Sequence, residues 1–267
     1  MSILEEIITY KRRETEERKR LYPLELLKKS IYYPSPGISL KQYILRPDKL
    51  GIIAEFKRQS PSKGMINRYA EVEKTSIGYM RAGASALSVL TDRNYFGGSI
   101  LDLETARKFN YCPVLRKDFI IDEYQIFESK SVGADAILLL AAVLTKDEIK
   151  RFTNLAHELG MEVLLEFYGD DELEKYDESV DLAGINNRNL NNFSVDFEHA
   201  IRMAEKLPDN AIKIAESGIQ QAADILTLRE AGFVGFLIGE LFMRELSPEN
   251  ACRKFIQEVE NLSQTLL

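Results

Sequence analysis

Eight short apolar runs recur along the chain from residue 52 onward, about one strand–helix unit apart. Each run is too short for a helix and lacks clean alternation of polar and apolar residues, which is typical of parallel strands buried on both faces. The runs cover residues 52–56, 86–90, 113–115, 136–140, 162–167, 181–185, 211–215 and 234–238. Strand followed by helix, eight times over, predicts an α/β protein built as a single (β/α)8 TIM barrel.

The segments between these runs carry the start and stop signals of helices. Ser99 and Thr145 are predicted N-caps, and Glu148 completes a capping box with Thr145. Pro248 predicts the first turn of the last helix. Helix C′ positions are predicted at Gly83, Gly133, Gly160 and Gly232. The alternative fold, a doubly wound open sheet, usually carries a glycine fingerprint after its first strand, whereas residues 58–61 here read Arg-Gln-Ser-Pro.

Residues 1–50 differ from the repeated part and predict an N-terminal helical extension. An apolar stripe at residues 3–8 leads into residues 11–20, which are almost all charged, so we expect an amphipathic helix whose second half is solvated. Pro23 predicts the start of a second, short helix. We expect a single domain over residues 1–267, composed of the helical extension at 1–50 and the barrel at 51–267.

The net charge of −7 argues against nucleic acid as a partner. An anionic substrate would require a local cluster of positive charge within that negative field. The acidic N-terminus lacks the pattern of a signal peptide, and no apolar run approaches the length of a membrane span. The two cysteines, Cys112 and Cys252, are expected to be buried small hydrophobic residues and fit a reducing compartment. We therefore expect a cytoplasmic protein without a membrane partner.

Charged side chains follow several predicted strands at the end where such barrels keep their active sites. Glu55 and Lys57 lie two apart on the first strand and therefore share one face. A plain ion pair explains these two equally well, but Lys117, Glu166 and Glu216 lie at or near the ends of the third, fifth and seventh strands. Two lysines and three glutamates at one rim favour acid–base catalysis by groups whose pKa values are shifted by burial and by each other.

The loops after the seventh and eighth strands form the usual phosphate site of these barrels. They read Ala-Glu-Ser-Gly-Ile at 215–219 and Ile-Gly-Glu-Leu at 238–241, and such small residues give backbone N–H groups room to approach a phosphate. Tight strand–helix turns are the alternative explanation of these glycines. His157 and His199 fall within predicted helices, and no Ser-His-Asp, HExxH or Cys/His pattern is present, so we expect no metal and no cofactor.

Four segments resemble signature motifs of one known family. They read IAEFKRQSPS at 53–62, LRKDFIID at 115–122, GINNRNL at 184–190 and AESGI at 215–219. The first two are the most specific, and the similarity covers nearly the whole chain, including the extension. On these residues the chain resembles the indole-3-glycerol phosphate synthase family of tryptophan biosynthesis, which implies a TIM-barrel carboxy-lyase.

The resemblance implies a small phosphorylated substrate, 1-(2-carboxyphenylamino)-1-deoxyribulose 5-phosphate. In the family's reaction the ring carbon attacks the ketone, carbon dioxide leaves, and loss of water gives the indole. The family pattern implies Lys117 as the general acid that protonates the ketone oxygen. It implies Lys57 as the cation that holds the carboxylate, with a part in proton transfer, and Glu166 as the base during dehydration.

The remaining residues implied by the resemblance support the catalytic lysines or bind the substrate. Glu55 would hold the lysines, and Asn186 and Glu216 would position polar groups of the substrate. The phosphate site matches Ser60, Ser217, Gly218 and Gly239, with Arg188 nearby. The apolar wall for the aromatic ring matches Pro61, Phe96, Phe119, Leu138 and Leu140.

Two positions depart from the family pattern. Gly97 stands where a polar amide is more common, and Glu240 follows Gly239 where many members have serine. A carboxylate directed at a phosphate would repel it, so we expect Glu240 to turn away and leave only backbone there.

Two competing interpretations remain open. The first is a barrel like phosphoribosylanthranilate isomerase, which typically uses a Cys/Asp pair. Cys112 precedes the third strand rather than ending one, which argues against this. The second is a non-catalytic phosphate-binding barrel, which gives no reason for Lys57, Lys117 and Glu166 to occur together. Association with other enzymes of the tryptophan pathway stays open under every interpretation.

Overall fold

The computed structural model describes residues 2–188 and 195–265. Asn189 and Leu190, the end of the third family-like motif, lie outside these residues. The strands of the described chain are β1 (Ile52–Phe56), β2 (Gln59–Ser60), β3 (Gly64–Met65), β4 (Ala86–Leu90), β5 (Val114–Lys117), β6 (Ala136–Leu140), β7 (Glu162–Phe167), β8 (Leu182–Asn186), β9 (Lys213–Glu216) and β10 (Gly235–Ile238). β2 and β3 form a small antiparallel hairpin after β1.

The other strands are parallel and close into a barrel in the order β1, β10, β9, β8, β7, β6, β5, β4. This closed sheet confirms the predicted (β/α)8 TIM barrel and excludes the open doubly wound sheet. The predicted runs at 52–56, 86–90, 136–140 and 162–167 coincide with β1, β4, β6 and β7. The sequence located these strands well because a strand buried on both faces reads as an unbroken apolar run.

Helices precede the barrel and alternate with its strands. They are α1 (Ile3–Leu21), α2 (Leu24–Leu27), α3 (Leu40–Ile44), α4 (Val72–Ala82), α5 (Ile100–Phe109), α6 (Glu123–Ser131), α7 (Lys146–Glu158), α8 (Phe197–Lys206), α9 (Ala222–Glu230), α10 (Glu240–Met243) and α11 (Pro248–Thr265), with a 3₁₀ turn at Asp170–Lys175. No helix among the described residues is long and apolar enough to cross a membrane.

The predicted helix ends agree with the structure. Ser99 accepts a hydrogen bond from the backbone of Asp102, and Thr145 forms a reciprocal capping box with Glu148. The four predicted C′ glycines all have positive φ, a conformation that glycine adopts without steric cost: Gly83, Gly133, Gly160 and Gly232. Both cysteines are buried and free, as expected.

Alternation along each strand divides the core into two layers. On β1, Ile52, Ala54 and Phe56 pack outward against the helices, whereas Ile53 packs inside the barrel. Glu55, two residues after Ile53, therefore also points into the barrel. Leu40 and Ile44 of α3 pack with the inward residues, so the extension contributes to the inner core as well as to the outside.

The prediction that the second half of α1 is solvated is wrong in part. Lys11 and Thr15 are buried, with 1 % and 4 % of their surfaces exposed. Arg18 forms an ion pair with Glu128 of α6. The sequence reads as a solvated run because the carboxylates that neutralise these cations come from distant parts of the chain.

Candidate active site

A cavity opens at the carboxyl ends of the barrel strands, where barrels of this class keep their active sites. All the site residues predicted from the sequence line this cavity: Glu55, Lys57, Ser60, Pro61, Phe96, Lys117, Phe119, Leu138, Leu140, Glu166, Asn186, Arg188, Glu216, Ser217, Gly218 and Gly239. Their convergence follows from the fold, because the parallel strands of the barrel all end at one rim.

Lys117, at the end of β5, links two carboxylates across the cavity. Its ammonium group lies 2.8 Å from Glu166 Oε2 on β7 and 2.5 Å from Glu216 Oε2 on β9. The Asn186 side chain donates a 2.6 Å hydrogen bond to the other oxygen of Glu166. Glu55, Lys117, Glu166 and Glu216 all come from alternate barrel strands, which is how such barrels build a layer of inward-pointing side chains.

The three linked groups shift one another's pKa values. Burial alone would lower the pKa of Lys117, but the charges of Glu166 and Glu216 outweigh burial and raise it above its usual value. Burial would raise the pKa of Glu166, and Lys117 instead lowers it below its usual value. Burial and then the charge of Glu166 raise the pKa of Glu216 to about 8. Below that pH the trio is neutral, because Glu216 holds a proton.

The carboxyl group of Glu216 fills the space that a side chain at residue 184 of β8 would take, and residue 184 is a glycine. A side chain at Gly184 would collide with Glu216 Oε1. Among the described residues this buried oxygen has no hydrogen-bond partner. An unpaired oxygen fits a carboxyl group that holds its proton, since burying an unpaired charge costs more than burying a neutral polar group.

Glu55 and Lys57 form a second ion pair, 2.5 Å apart, with the carboxylate almost fully buried. Glu55 was expected to hold both lysines, but among the described residues its ion pair is with Lys57. A side chain at Gly239 would collide with the Glu55 carboxylate. The glycine predicted for the phosphate loop therefore also makes space for this ion pair.

At the opposite side of the cavity, Arg188 is already paired. Its guanidinium lies 3.2 Å from Ser62 Oγ and 3.1 Å from Glu240 Oε2, while Lys63 Nζ lies 3.6 Å from Glu240 Oε1. The expectation that Glu240 turns away from this site is wrong, because two cations hold its carboxylate there. Glu240 thus forms an ion pair with Arg188, the cation that was expected to lie near the phosphate.

The loop after β9 has an unusual backbone. Ser217 has a φ of 65°, and among the described residues it is the only non-glycine with positive φ. Gly218 follows with a φ of 79°. Such a conformation costs on the order of 1 kcal/mol for a residue with a side chain and persists where the surroundings fix it, often at functional sites.

The predicted apolar wall is assembled from four elements of the barrel rim. The rings of Phe96 and Phe119 lie 5.9 Å apart between centroids, and Leu138 and Leu140 come from β6. Gly97, the departure noted in the sequence, has a φ of 62°, which explains a glycine at this turn.

Several cavity residues were missed by sequence reasoning. Ile3, Leu4 and Ile7 of α1 line the cavity, although their apolar stripe indicated only an amphipathic helix. Tyr168, just after β7, faces Glu166, and burial followed by that carboxylate raises the pKa of its hydroxyl well above the usual value. An aromatic residue directly after a strand that ends in a predicted base was the available signal.

The fold and the site define an enzyme of the (β/α)8-barrel class with a buried lysine–glutamate centre. A sequence model of the family described as "Indole-3-glycerol phosphate synthase" matches residues 4–255. The chain belongs to the indole-3-glycerol phosphate synthase family.

Curated relatives agree with this assignment, and a solved structure agrees with the fold. An indole-3-glycerol phosphate synthase of Bacteroides thetaiotaomicron is 46% identical over 258 residues, 97% of this chain and 99% of the relative. One of Caldanaerobacter subterraneus is 39% identical over 259 residues, 96% and 98% of the two chains. A 3-hexulose-6-phosphate synthase structure from Salmonella typhimurium has a TM-score of 0.63 at 14% identity, covering 79% of this chain and 99% of its own, and this likeness shows the fold alone.

Proposed function

We propose that this chain is an indole-3-glycerol phosphate synthase, a carboxy-lyase that converts 1-(2-carboxyphenylamino)-1-deoxyribulose 5-phosphate into indole-3-glycerol phosphate. The observation that carries the proposal is the bridge of Lys117 between Glu166 and Glu216 in a cavity with an apolar wall on one side and Arg188 on the other. A cation between two carboxylates supplies both an acid and a base within reach of one substrate. The family membership of the chain supports the same reaction.

Lys117 is the proposed general acid of ring closure. When the ring carbon attacks the ketone, negative charge develops on the ketone oxygen, which becomes far more basic than the ammonium group. A lysine whose pKa is raised is a weak acid at rest, but it is an effective donor to an alkoxide-like oxygen. The ammonium charge also stabilises that oxygen before the proton moves.

Glu166 is the proposed base of the dehydration step. Lys117 keeps this carboxylate ionised by lowering its pKa, so it can accept a proton at neutral pH. Asn186 is a positioning residue in this scheme, since its hydrogen bond to Glu166 fixes the direction of the carboxylate. Glu216 is proposed to hold Lys117 from the other side.

Lys57 is the proposed partner of the departing carboxylate. Its side chain is 19 % exposed and lines the cavity, while Glu55 holds it from below. The apolar wall of Phe96 and Phe119 would stack against the ring that bears this carboxylate. An apolar enclosure favours the loss of carbon dioxide, because the charged carboxylate loses its hydration there, whereas neutral carbon dioxide has little hydration to lose.

Release of carbon dioxide tests the proposal directly. With substrate labelled at the ring carboxyl, we expect one equivalent of labelled carbon dioxide for each indole product formed. An enzyme of the isomerase type would retain the label and act on phosphoribosylanthranilate. The burial of Cys112 outside the cavity favours the synthase over that alternative. Retention of the label in the product would contradict the proposed reaction.

The ion pair of Arg188 with Glu240 should weaken the binding of phosphate, and substitution of Glu240 should strengthen it. A phosphate must compete with the Glu240 carboxylate for Arg188, so Glu240→Gln should bind inorganic phosphate about three- to tenfold more tightly, as expected for losing a partly exposed ion pair of about 1 kcal/mol. The measurement is the inhibition constant of inorganic phosphate. Glu245→Gln, at an exposed carboxylate five residues further along, is the control and should change nothing. Unchanged or weaker phosphate binding in Glu240→Gln would rule out this competition.

A further inference from the structure

Lys11 of α1 is buried among carboxylates from three elements. Its ammonium group lies 2.9 Å from Asp92 Oδ2, 2.9 Å from Asp118 Oδ1 and 2.5 Å from Glu14 Oε2. These four residues are called the Lys11 cluster below. Burying an ammonium group is costly unless it is paired, so the cluster fixes α1 against the ends of β4 and β5 by charge as well as by packing.

The two barrel acids of the Lys11 cluster also hold the loops that carry the aromatic wall. Asp92 Oδ1 accepts a 2.8 Å hydrogen bond from the backbone N–H of Tyr95, the residue before Phe96. Asp118 Oδ1 accepts a 2.8 Å hydrogen bond from the backbone N–H of Phe119. Each acid is therefore held between Lys11 and a loop amide next to a wall ring.

Asp118 also joins the Lys11 cluster to the catalytic strand. It directly follows Lys117, and because side chains alternate along an extended chain, Lys117 faces the cavity while Asp118 faces α1. Arg116 and Thr91 hold the second oxygen of Asp118 at 3.0 Å and 2.6 Å. The lowered pKa of Asp118, which Lys11 and Arg116 bring about against the effect of burial, fits a carboxylate that stays ionised there.

The first turns of α1 cover the same side of the cavity. Ile3, Leu4 and Ile7 line it, and the Tyr95 hydroxyl donates a 3.0 Å hydrogen bond to Glu6. The helix thus contacts both the cavity and the loop after β4, and Lys11 lies one turn beyond these contacts.

We propose that Lys11 is a positioning residue, which couples the docking of α1 to the geometry of the Phe96–Phe119 wall and so to the binding of the substrate's aromatic ring. That the wall binds the substrate's aromatic ring rests on the proposed function. The coupling of α1 to the wall loops is independent of that function and can be tested without any ligand.

The kinetic test compares Lys11→Met with Lys19→Met. Lys19 also ties α1 to the barrel, through a 2.8 Å ion pair with Asp122 at the start of α6, and so controls for a loosened helix. We expect Lys11→Met to raise KM about tenfold or more, because the wall is displaced, with a smaller change in kcat. The inhibition constant of inorganic phosphate should stay within about twofold, since the Arg188 side of the cavity is not attached to the cluster. Lys19→Met should leave KM and the phosphate constant unchanged.

The ligand-free test is hydrogen exchange of the backbone amides at residues 92–98. Lys11→Met should speed exchange there about tenfold, since the Tyr95 amide loses a fixed acceptor, while residues 217–220 of the phosphate side exchange as before. Lys19→Met should leave residues 92–98 unchanged. This measurement separates the coupling of α1 to the wall loops from the proposed function. If the wild-type protein showed no turnover, the proposed function would be contradicted, but the exchange result would still test the coupling.

Two results would overturn the coupling. One is exchange at residues 92–98 that is equal in wild type and Lys11→Met, and the other is equal acceleration at residues 217–220, which indicates general loosening. If Lys11→Met does not fold, Asp92→Asn carries the same test. That variant leaves Lys11 with Glu14 and Asp118 and keeps an acceptor for the Tyr95 amide, so only the ion pair is weakened. Unchanged exchange at residues 92–98 in Asp92→Asn would then contradict the proposal.

Discussion

Lys117→Met is expected to lower kcat about 10³-fold or more while the barrel stays folded. The substitution removes both the proposed acid and the positive charge next to the ketone oxygen, and methionine fills a similar volume. Steady-state turnover of the carboxyphenylamino-deoxyribulose phosphate measures the loss, and circular dichroism checks the fold. Lys213→Met, at the start of β9 and thus at the opposite end of the barrel, is the matched control and should keep turnover within about twofold.

The structure also changes the expected stability of this variant. From sequence alone, a catalytic lysine could be removed without cost to the fold. In the structure, its loss leaves the carboxyl groups of Glu166 and Glu216 facing each other without a cation. Their pKa values should then rise, so Lys117→Met should be most stable at acid pH and lose stability as the pH rises. Turnover of Lys117→Met within tenfold of wild type would contradict the assignment of the acid.

Glu216→Gln is expected to become more stable relative to wild type as the pH rises. The pKa of Glu216 is raised in the folded chain from 4.5 to about 8, so the folded state keeps a proton that the unfolded state has released. The stability from this proton is fully present below the unfolded pKa and is lost as the pH rises through the folded pKa. Glutamine does not titrate, so the difference in unfolding free energy, variant minus wild type, should grow by about 2–4 kcal/mol from about pH 5 to about pH 9.

Chemical denaturation across this pH range measures the difference. Glu178→Gln, at an exposed carboxyl group, is the control, and its difference from wild type should stay flat with pH. Turnover of Glu216→Gln should fall, because Lys117 loses the carboxyl group that holds it from one side. The variant would then be less active and, at alkaline pH, more stable than wild type. A flat or falling difference for Glu216→Gln would mean that Glu216 is ionised throughout this range.

The positions of the strands and the composition of the rim could be predicted from sequence because both are local properties. An apolar run identifies a buried strand, and the charged residue that follows it lies at the rim of any closed parallel barrel. Lys117 and Glu166 were found in this way. The pairing of the charges could not be predicted, since it depends on which strands lie opposite one another and how far they are offset.

The remaining misses share one physical cause, which is long-range contact. Lys11 reads as part of a solvated charged run until Asp92 and Asp118 are seen beside it. Gly184 reads as an ordinary strand glycine until the carboxyl group of Glu216 is seen to fill the space of its missing side chain. Glu240 was expected to turn away because a carboxylate repels a phosphate. Its ion pair with Arg188 could not be predicted, since that pair depends on a loop geometry that the sequence does not reveal.

A fluorescence time course with the carboxyphenylamino-deoxyribulose phosphate tests directly whether this chain is an indole-3-glycerol phosphate synthase with Lys117 as its acid. The chain contains no tryptophan, so emission from an indole product stands clear of the protein background. We expect a rising indole signal with wild-type protein and the loss of that signal with Lys117→Met. A folded wild-type protein that binds inorganic phosphate and produces no indole signal would contradict the proposed function.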